Sequence, residues 1–524
     1  MDKTLTDKTL MEKTMPDTRT APPPMSFARR WASAAVLSVS LLVITVDLTI
    51  LNIAIPDLAA DLRPGAAQQL WIVDAYSLVL AGLLVSTASL GDRFGRKRML
   101  LAGYTVFGLA SLLVLWADTP AQVIALRALL GVGGAMIMPT TLSLLRVIFT
   151  DPAERAKALG LWAAVSGIGA AVGPITGGVL LEHFSWRAAF LVNVPLMAVV
   201  LIAGAAILPE STVGSPARWD FIGALLSITG MVALVWSIKR FAKDHALTSG
   251  PAVIALLVAV FALSLFVYRS LHRPDPLLDV RLFKRRQFSA AIVAALGVMF
   301  AMAAALLLIA QWMQLVEGYR PIETGVRLLP VALAATVASI AAPMLSGPLS
   351  ARIVLSGGLF LAAVGMVVIA LPGTLSYATM IAPLLLVGAG MGAMAVASAM
   401  IMSGTPEEKA GNAAALEETS YDLGNVLGVA VLGSVAAMLY TADADFGAIA
   451  GVDPASADAA GESLGAAMAI AQQARIPELA ERAAVGFTES LQTTGLIGGV
   501  VLMLVAAGVF ALTPKGTDIA VQAH

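Results

Sequence analysis

Between residues 32 and 513 one long apolar run follows another, most of them parted by short polar breaks. Runs of about 20 residues are long enough to cross the hydrocarbon core of a bilayer, and in lipid such runs are satisfied only as helices or as a closed barrel. Spans fall near 32–56, 68–90, 99–117, 121–147, 159–181, 188–208, 219–239, 251–270, 288–316, 325–350, 353–371, 377–402, 412–440 and 490–513, about fourteen in all. Composition points the same way: 58% of residues are hydrophobic and 13% charged, where soluble domains carry about a quarter charged residues. The sequence predicts an all-α polytopic membrane protein.

The spans group into domains. Residues 1–31 form a polar, low-complexity tail in which DKTLT, DKTLM and EKTMP repeat, expected to be disordered in the cytoplasm. A six-helix bundle is predicted over 32–208, two inserted helices and a basic loop over 209–287, and a second six-helix bundle over 288–513, followed by a tail over 514–524. Within the second bundle a long, Ala-rich acidic loop at 441–489 reads as a solvated connector with an amphipathic helix around 461–475. ASLGDR (88–93) and GPLSAR (347–352) occupy equivalent positions after the second span of each bundle, a faint internal repeat. Two related halves are the architecture of many secondary transporters.

Most of the 33 Lys and Arg lie in loops on the side of both tails. The positive-inside rule puts that side, and both termini, in the cytoplasm, and the basic loop with Arg281, Lys284, Arg285 and Arg286 against anionic headgroups. Lys239, Arg240 and Lys243 break the pattern.

Enzyme chemistry has little to stand on. The chain has no cysteine, so no disulfide or thiolate site, and its four histidines (His183, His245, His272, His524) lie in predicted loops or at the terminus. No HExxH metal string or P-loop occurs. No cofactor, metal or nucleic acid is called for.

Two strings are more ordered than topology requires. GDRFGRKR (91–98) makes a tight turn after the second span. In it Asp92 can accept from a helix N-terminus or an arginine, while Arg93, Gly95 and Arg96 shape and anchor the turn. GAAVGPITGG (169–178) places Gly169, Gly173, Gly177, Gly178 and Pro174 inside the fifth span. Glycines one turn apart clear a face for a neighbouring helix, and Pro174 is expected to bend it.

Three ionisable residues lie inside the first bundle. Asp47 is placed roughly 13 Å, and Asp74 and Arg127 roughly 9 Å, from the outer ends of their spans, at 1.5 Å per residue. A charge at that depth costs about 2.5–3.5 kcal/mol and needs a partner or water. The two aspartates and one arginine leave one negative charge over. Desolvation favours a neutral carboxyl and the guanidinium a charged one. A carboxylate so poised can hold a proton or face a cation, but hardly both. The alternative is a structural Asp–Arg pair. In the thirteenth span, LEETSYDLGNVLG carries Glu417, Glu418 and Asp422, with Glu418 and Asp422 four apart on one face. Asp422 is a cavity candidate, whereas Glu417 and Glu418 are either cavity residues or an interfacial helix start. Trp71, Tyr76, Trp162, Trp312, Met313 and Tyr421 are candidates for a greasy wall, or else interface anchors or core.

Together these strings resemble the major facilitator superfamily, in its fourteen-span drug/proton antiporter branch. DLTILNIAIP (47–56), GDRFGRKR, RALLGVGG (127–134), GAAVGPITGG and WRAAFLVNVP (186–195) carry the resemblance, with Ala88 and Leu130 departing from the usual pattern. It covers roughly residues 32–440 and the last span. It implies a monomeric exporter of lipophilic, often cationic, drugs or dyes, driven by protons, with Asp47 as a proton or cation carboxylate modulated by Arg127, Gly173-Pro174 as the antiport bend and Asp92 at a cytoplasmic gate. Glu417, Glu418 and Asp422 would be acidic positions seen by drug or proton. A narrow exporter of one antibiotic or metabolite, and a transport-dead sensor, are the alternatives.

Overall fold

The computed structural model describes residues 25–64, 66–212, 220–244, 249–273, 276–371, 373–406, 409–442, 446–447 and 449–516. The low-complexity repeats of the first tail and residues 517–524 lie outside that set. Among the described residues the long helices are α1 (Phe27–Leu62), α2 (Ala66–Phe94), α3 (Arg96–Leu113), α4 (Pro120–Ile148), α5 (Pro152–His183) and α6 (Asn193–Ile207) in the first bundle. The inserted pair is α7 (Phe221–Asp244) and α8 (Gly250–His272). The second bundle holds α9 (Arg286–Gln311), α10 (Leu329–Leu349), α11 (Ala351–Val368), α12 (Tyr377–Ala389), α13 (Met391–Ser403), α14 (Ala410–Ala442), the short α15 (Pro454–Glu462) and α16 (Leu464–Ala474), and α17 (Pro477–Leu512). Thirteen segments among the described residues are long and apolar enough to cross a membrane. To these α5 adds a helix of 32 residues, roughly 48 Å at 1.5 Å per residue.

Local sequence sets the helix starts. Thr119 and Gln122 form a reciprocal capping box ahead of Pro120, and the Asp151 side chain accepts from the Glu154 N–H at 2.7 Å ahead of Pro152. The twelfth expected span is two helices meeting at Gly390, where a Cβ would fall 2.7 Å from that of Ala362. Gly390 thus lets this span press against α11.

The halves repeat one packing scheme. In the first, α1 lies on α5, α2 on α4 and α3 on α6; in the second, α9 lies on α14, α10 on α12 and α13, and α11 on α17. The turns carrying the faint repeat match too. Gly95 (φ 114°) joins α2 to α3, and Ser350 (φ 68°) joins α10 to α11. The halves meet where α5 packs on α10 and α13, and where α14 packs on α2 and α4. Of α8's most apolar window 22% is buried, against 83% for the Tyr377–Ser403 span. So α8 is peripheral and α12–α13 central. Helix α7, in contrast, touches both α2 and α14.

Two boundaries differ from the sequence reading. The last helix begins at Pro477, well before 490. The 441–489 segment is not simply a solvated connector. The amphipathic helix expected there is α16, which buries Leu464, Ala467 and Ala471 along one face. Tyr440 also ties the segment down, its hydroxyl donating to the Ala460 carbonyl at 3.1 Å. Gly461-Glu462-Ser463-Leu464-Gly465 has nucleophile-elbow spacing, yet Ser463 caps α16, its hydroxyl accepting from Ala466 N–H at 3.2 Å.

Candidate functional site

Asp47 sits on α1 and is 1% exposed. Arg127 Nη1 on α4 donates to Asp47 Oδ2 at 2.9 Å, and Asn193 Nδ2 on α6 donates to Oδ1 at 2.7 Å. Arg127 Nε also donates to the Ile72 carbonyl of α2 at 3.1 Å, and its guanidinium lies 4.6 Å from the Tyr76 ring centroid. The RALLGVGG string explains the fit. Gly131 and Gly134 follow Arg127 on one helix face. A Cβ on Gly131 would come within 2.6 Å of the Tyr76 carbonyl oxygen, and one on Gly134 within 2.9 Å of its hydroxyl. Both oxygens of Asp47 thus accept a hydrogen bond, one from a guanidinium and one from an amide.

Asp74 does not join this group. Its partner is Lys239 of α7, whose ammonium donates to Asp74 Oδ1. The surplus negative charge expected in the first bundle is thereby neutralised from the inserted pair. The same contact explains why Lys239 breaks the positive-inside pattern.

The acidic residues of α14 are differently placed. Glu417 and Glu418 are both 0% exposed and lie about two turns inside α14, which begins at Ala410. Tyr421 donates its phenol to Glu417 Oε1. Neither carboxylate oxygen of Glu418 has a partner among the described residues, nor has Asp422 Oδ2. Tyr76 lies within electrostatic range of Glu418, Asp422 and Asp47, and Lys239 within range of Asp422. Trp162, whose indole N–H donates to Thr141 at 3.3 Å, closes the seam with its ring 6.4 Å from that of Tyr421. The seam where α14 packs on α2, α4 and α7 therefore gathers Tyr76, Lys239, Glu418 and Asp422. Trp71, by comparison, is 44% exposed. Trp312 is committed to the second bundle, where a π-helical turn aims its indole N–H at Thr488 at 3.2 Å, and Met313 is buried beside it. A cavity of about 420 Å³ at Leu439, Glu489 and Ser490 touches none of the acidic residues of this seam.

The glycines of GAAVGPITGG face two ways. A Cβ on Gly169 would come within 2.8 Å of Thr45 Cβ, and one on Gly173 would strike Thr49 Oγ1, so both seat α5 against the turns of α1 flanking Asp47. A Cβ on Gly178 would strike Ile322 of the second half. Gly177 is buried. The helix runs through Pro174, whose side chain lies outside the described residues together with the bend expected there.

At the end bearing GDRFGRKR, Arg96 Nε donates to Asp92 Oδ1 at 2.8 Å, one turn apart, with Arg96 1% exposed. Asp92 abuts the α-carbon of Gly411 on α14. Arg146 Nη2 donates to the Thr405 carbonyl at 3.0 Å, so the two halves are joined at this end. Gly95 leaves room for Glu210, which accepts from Lys97 N–H at 3.2 Å. Arg93 is exposed beside the Phe94 ring.

Sequence reasoning gave no role to Asn193 or Lys239. The signal for Asn193 is that it is a lone amide in an apolar span, and for Lys239 that it breaks the positive-inside pattern.

Comparison with known proteins gives a consistent picture. Residues 37–429 match the Major Facilitator Superfamily. The chain is 38% identical over 504 residues to the multidrug efflux pump LfrA of Mycolicibacterium smegmatis, covering 95% of this chain and 98% of that one. It is 36% identical over 416 residues to the methyl viologen resistance protein SmvA of Salmonella typhimurium, covering 79% and 84%. Among solved structures, the human organic anion transporter MFSD10 superposes with a TM-score of 0.62 at 14% identity, over 94% of this chain and 100% of that one. That likeness speaks to fold alone.

Proposed function

This chain belongs to the Major Facilitator Superfamily, and we propose that it is a proton-driven exporter of lipophilic, often cationic, drugs and dyes. It is a multi-pass membrane transporter of small molecules rather than an enzyme, as its efflux-pump relatives are. The preference for cations is supported by the relative named for resistance to methyl viologen, an organic cation, and by the buried acidic cluster of α14. One observation carries the proton-exchange reading: Glu418 is wholly buried, and its carboxylate has no partner among the described residues. An ionised carboxylate so placed is strongly disfavoured. It is stable with a proton on it or with a cation against it, and that exclusion is an exchange mechanism.

In this reading Glu418 is the first proton site, with Asp422 and Glu417 beside it. Asp47, Arg127 and Asn193 form the coupling element that holds α1, α4 and α6 together while the halves rock. The glycine face of α5 lets them rock, and the Asp92–Gly411 contact shuts the basic end. The basic end faces the cytoplasm of a cell whose inner membrane holds the protein, and both termini lie on that side. The transporter works as a monomer and needs no cofactor. One charge entering down 100 mV supplies about 2.3 kcal/mol, enough to hold a steep drug gradient.

Proteoliposomes with an imposed pH gradient test this. Dye efflux should follow the gradient and stop when ionophores collapse ΔpH and voltage; equal flux without either overturns the reading. Unrelated cationic dyes should compete, whereas a narrow exporter of one compound would show no competition.

A further inference from the structure

A lysine near a helix end normally extends its ammonium toward the headgroups. Lys239 turns inward instead. Its ammonium binds Asp74, whose side chain is 10% exposed, and the lysine side chain itself is only 27% exposed. The helix around it is wedged into the seam between the halves. Val235 of α7 packs with Leu78 and Ala81 of α2 and with Leu423 and Val426 of α14, and a Cβ on Gly82 would come within 2.9 Å of Val232. Lys239 is also within electrostatic range of Asp422, which has an oxygen without a partner among the described residues. One tethered cation thus binds a carboxylate of the first bundle and acts electrostatically on one of the second.

We propose that Lys239 is a resident stand-in for the transported cation. It neutralises Asp74 while no substrate is bound and gives that carboxylate up when an organic cation enters. On this view α7 is a wall of the substrate site rather than a spacer between halves. The inference deepens the cation-export reading and rests on it. The physics is competition: two cations near one carboxylate repel, so the lysine weakens substrate binding and hastens release.

Tetraphenylphosphonium binding to the purified full-length protein tests this. Lys239→Gln should tighten binding about tenfold, because Asp74 becomes free for the probe. Lys239→Arg, which keeps the charge, should stay near wild type. Asp74→Asn should weaken binding, since the released lysine is left beside Asp422. Adding Asp74→Asn to Lys239→Gln should erase the gain, and because that double variant removes both partners it leaves no orphaned charge to unfold the protein. Binding by Lys239→Gln equal to or weaker than wild type, or a gain that survives in the double variant, overturns the proposal alone. A wild-type protein that binds no tetraphenylphosphonium overturns the cation-export reading and the proposal with it.

Discussion

The Asp92 carboxylate occupies the space that a Cβ on Gly411 would need. Asp92 cannot easily swing aside, because Arg96 holds it at 2.8 Å. The contact joins α2 of the first bundle to α14 of the second, and it exists because residue 411 has no side chain. Gly411→Ala should push the bundles apart at the basic end. The chain has no cysteine, so a single cysteine at Ala88, 5% exposed near this end, can report the opening. Maleimide should label it several-fold faster in the Gly411→Ala background. Equal rates would show that the contact does not hold the end shut.

Asp47 and Glu418 should separate in their effects. Asp47→Asn leaves Arg127 buried without its countercharge, a loss of about 3–5 kcal/mol. Glu418→Gln removes no hydrogen bond seen in the structure, and its stability should stay within about 1 kcal/mol of wild type. Both variants should lose proton-driven efflux, but Asp47→Asn alone should melt markedly lower in detergent. The reverse order of melting would exchange the two assignments.

Gly173→Ala should slow transport through a named clash. The new methyl group would meet Thr49 Oγ1, with Thr49 Cβ at 3.0 Å and the Val46 carbonyl at 3.2 Å also crowding it. Overpacking of this kind costs about 1–3 kcal/mol. Pairing it with Thr49→Ala should restore most of the turnover, measured as dye efflux. Failure of that rescue would place the role of Gly173 somewhere other than the α1–α5 contact.

The basic linker should loosen in acid. Asp279 is buried, pairs with Lys409, and accepts from Arg281 N–H at 3.1 Å, while its own N–H donates to Asn412 at 2.8 Å. Burial works against its charge, but the Lys409 ammonium and the Arg281 N–H prevail and hold it below the usual carboxylate range. A depressed folded value means the stabilisation is full above the unfolded value of about 3.9 and is lost as pH falls through the folded one. The gap in Tm between wild type and Asp279→Asn should therefore be constant from about pH 7 to 5 and close only as pH falls below the unfolded value of about 3.9. A gap that widens in acid would contradict the ion pair.

Much of the fold was legible because lipid admits few solutions. Apolar length gives the spans, and Pro120 or Pro152 behind a capping side chain gives a helix start. The close packings were legible as small-residue strings, and Gly131, Gly134 and Gly173 each face a neighbour that a Cβ would disturb. Partner choice was not legible. Asp47, Asp74 and Arg127 lie at similar depth, and depth alone cannot say that Asp74 turns toward α7 or that Asn193 completes the Asp47 shell. Those pairings depend on helix rotation, which long-range packing sets. Pro477 was missed as a helix start because Glu478, Glu481 and Arg482 make the first turns polar, although the backbone there is helical.

Proton release on ligand binding is the most direct measurement of the exchange. Purified wild-type protein in weakly buffered detergent near pH 7 should release protons when tetraphenylphosphonium is added, and Glu418→Gln should release fewer at equal occupancy. Binding of the cation by wild-type protein with no proton released would contradict the account.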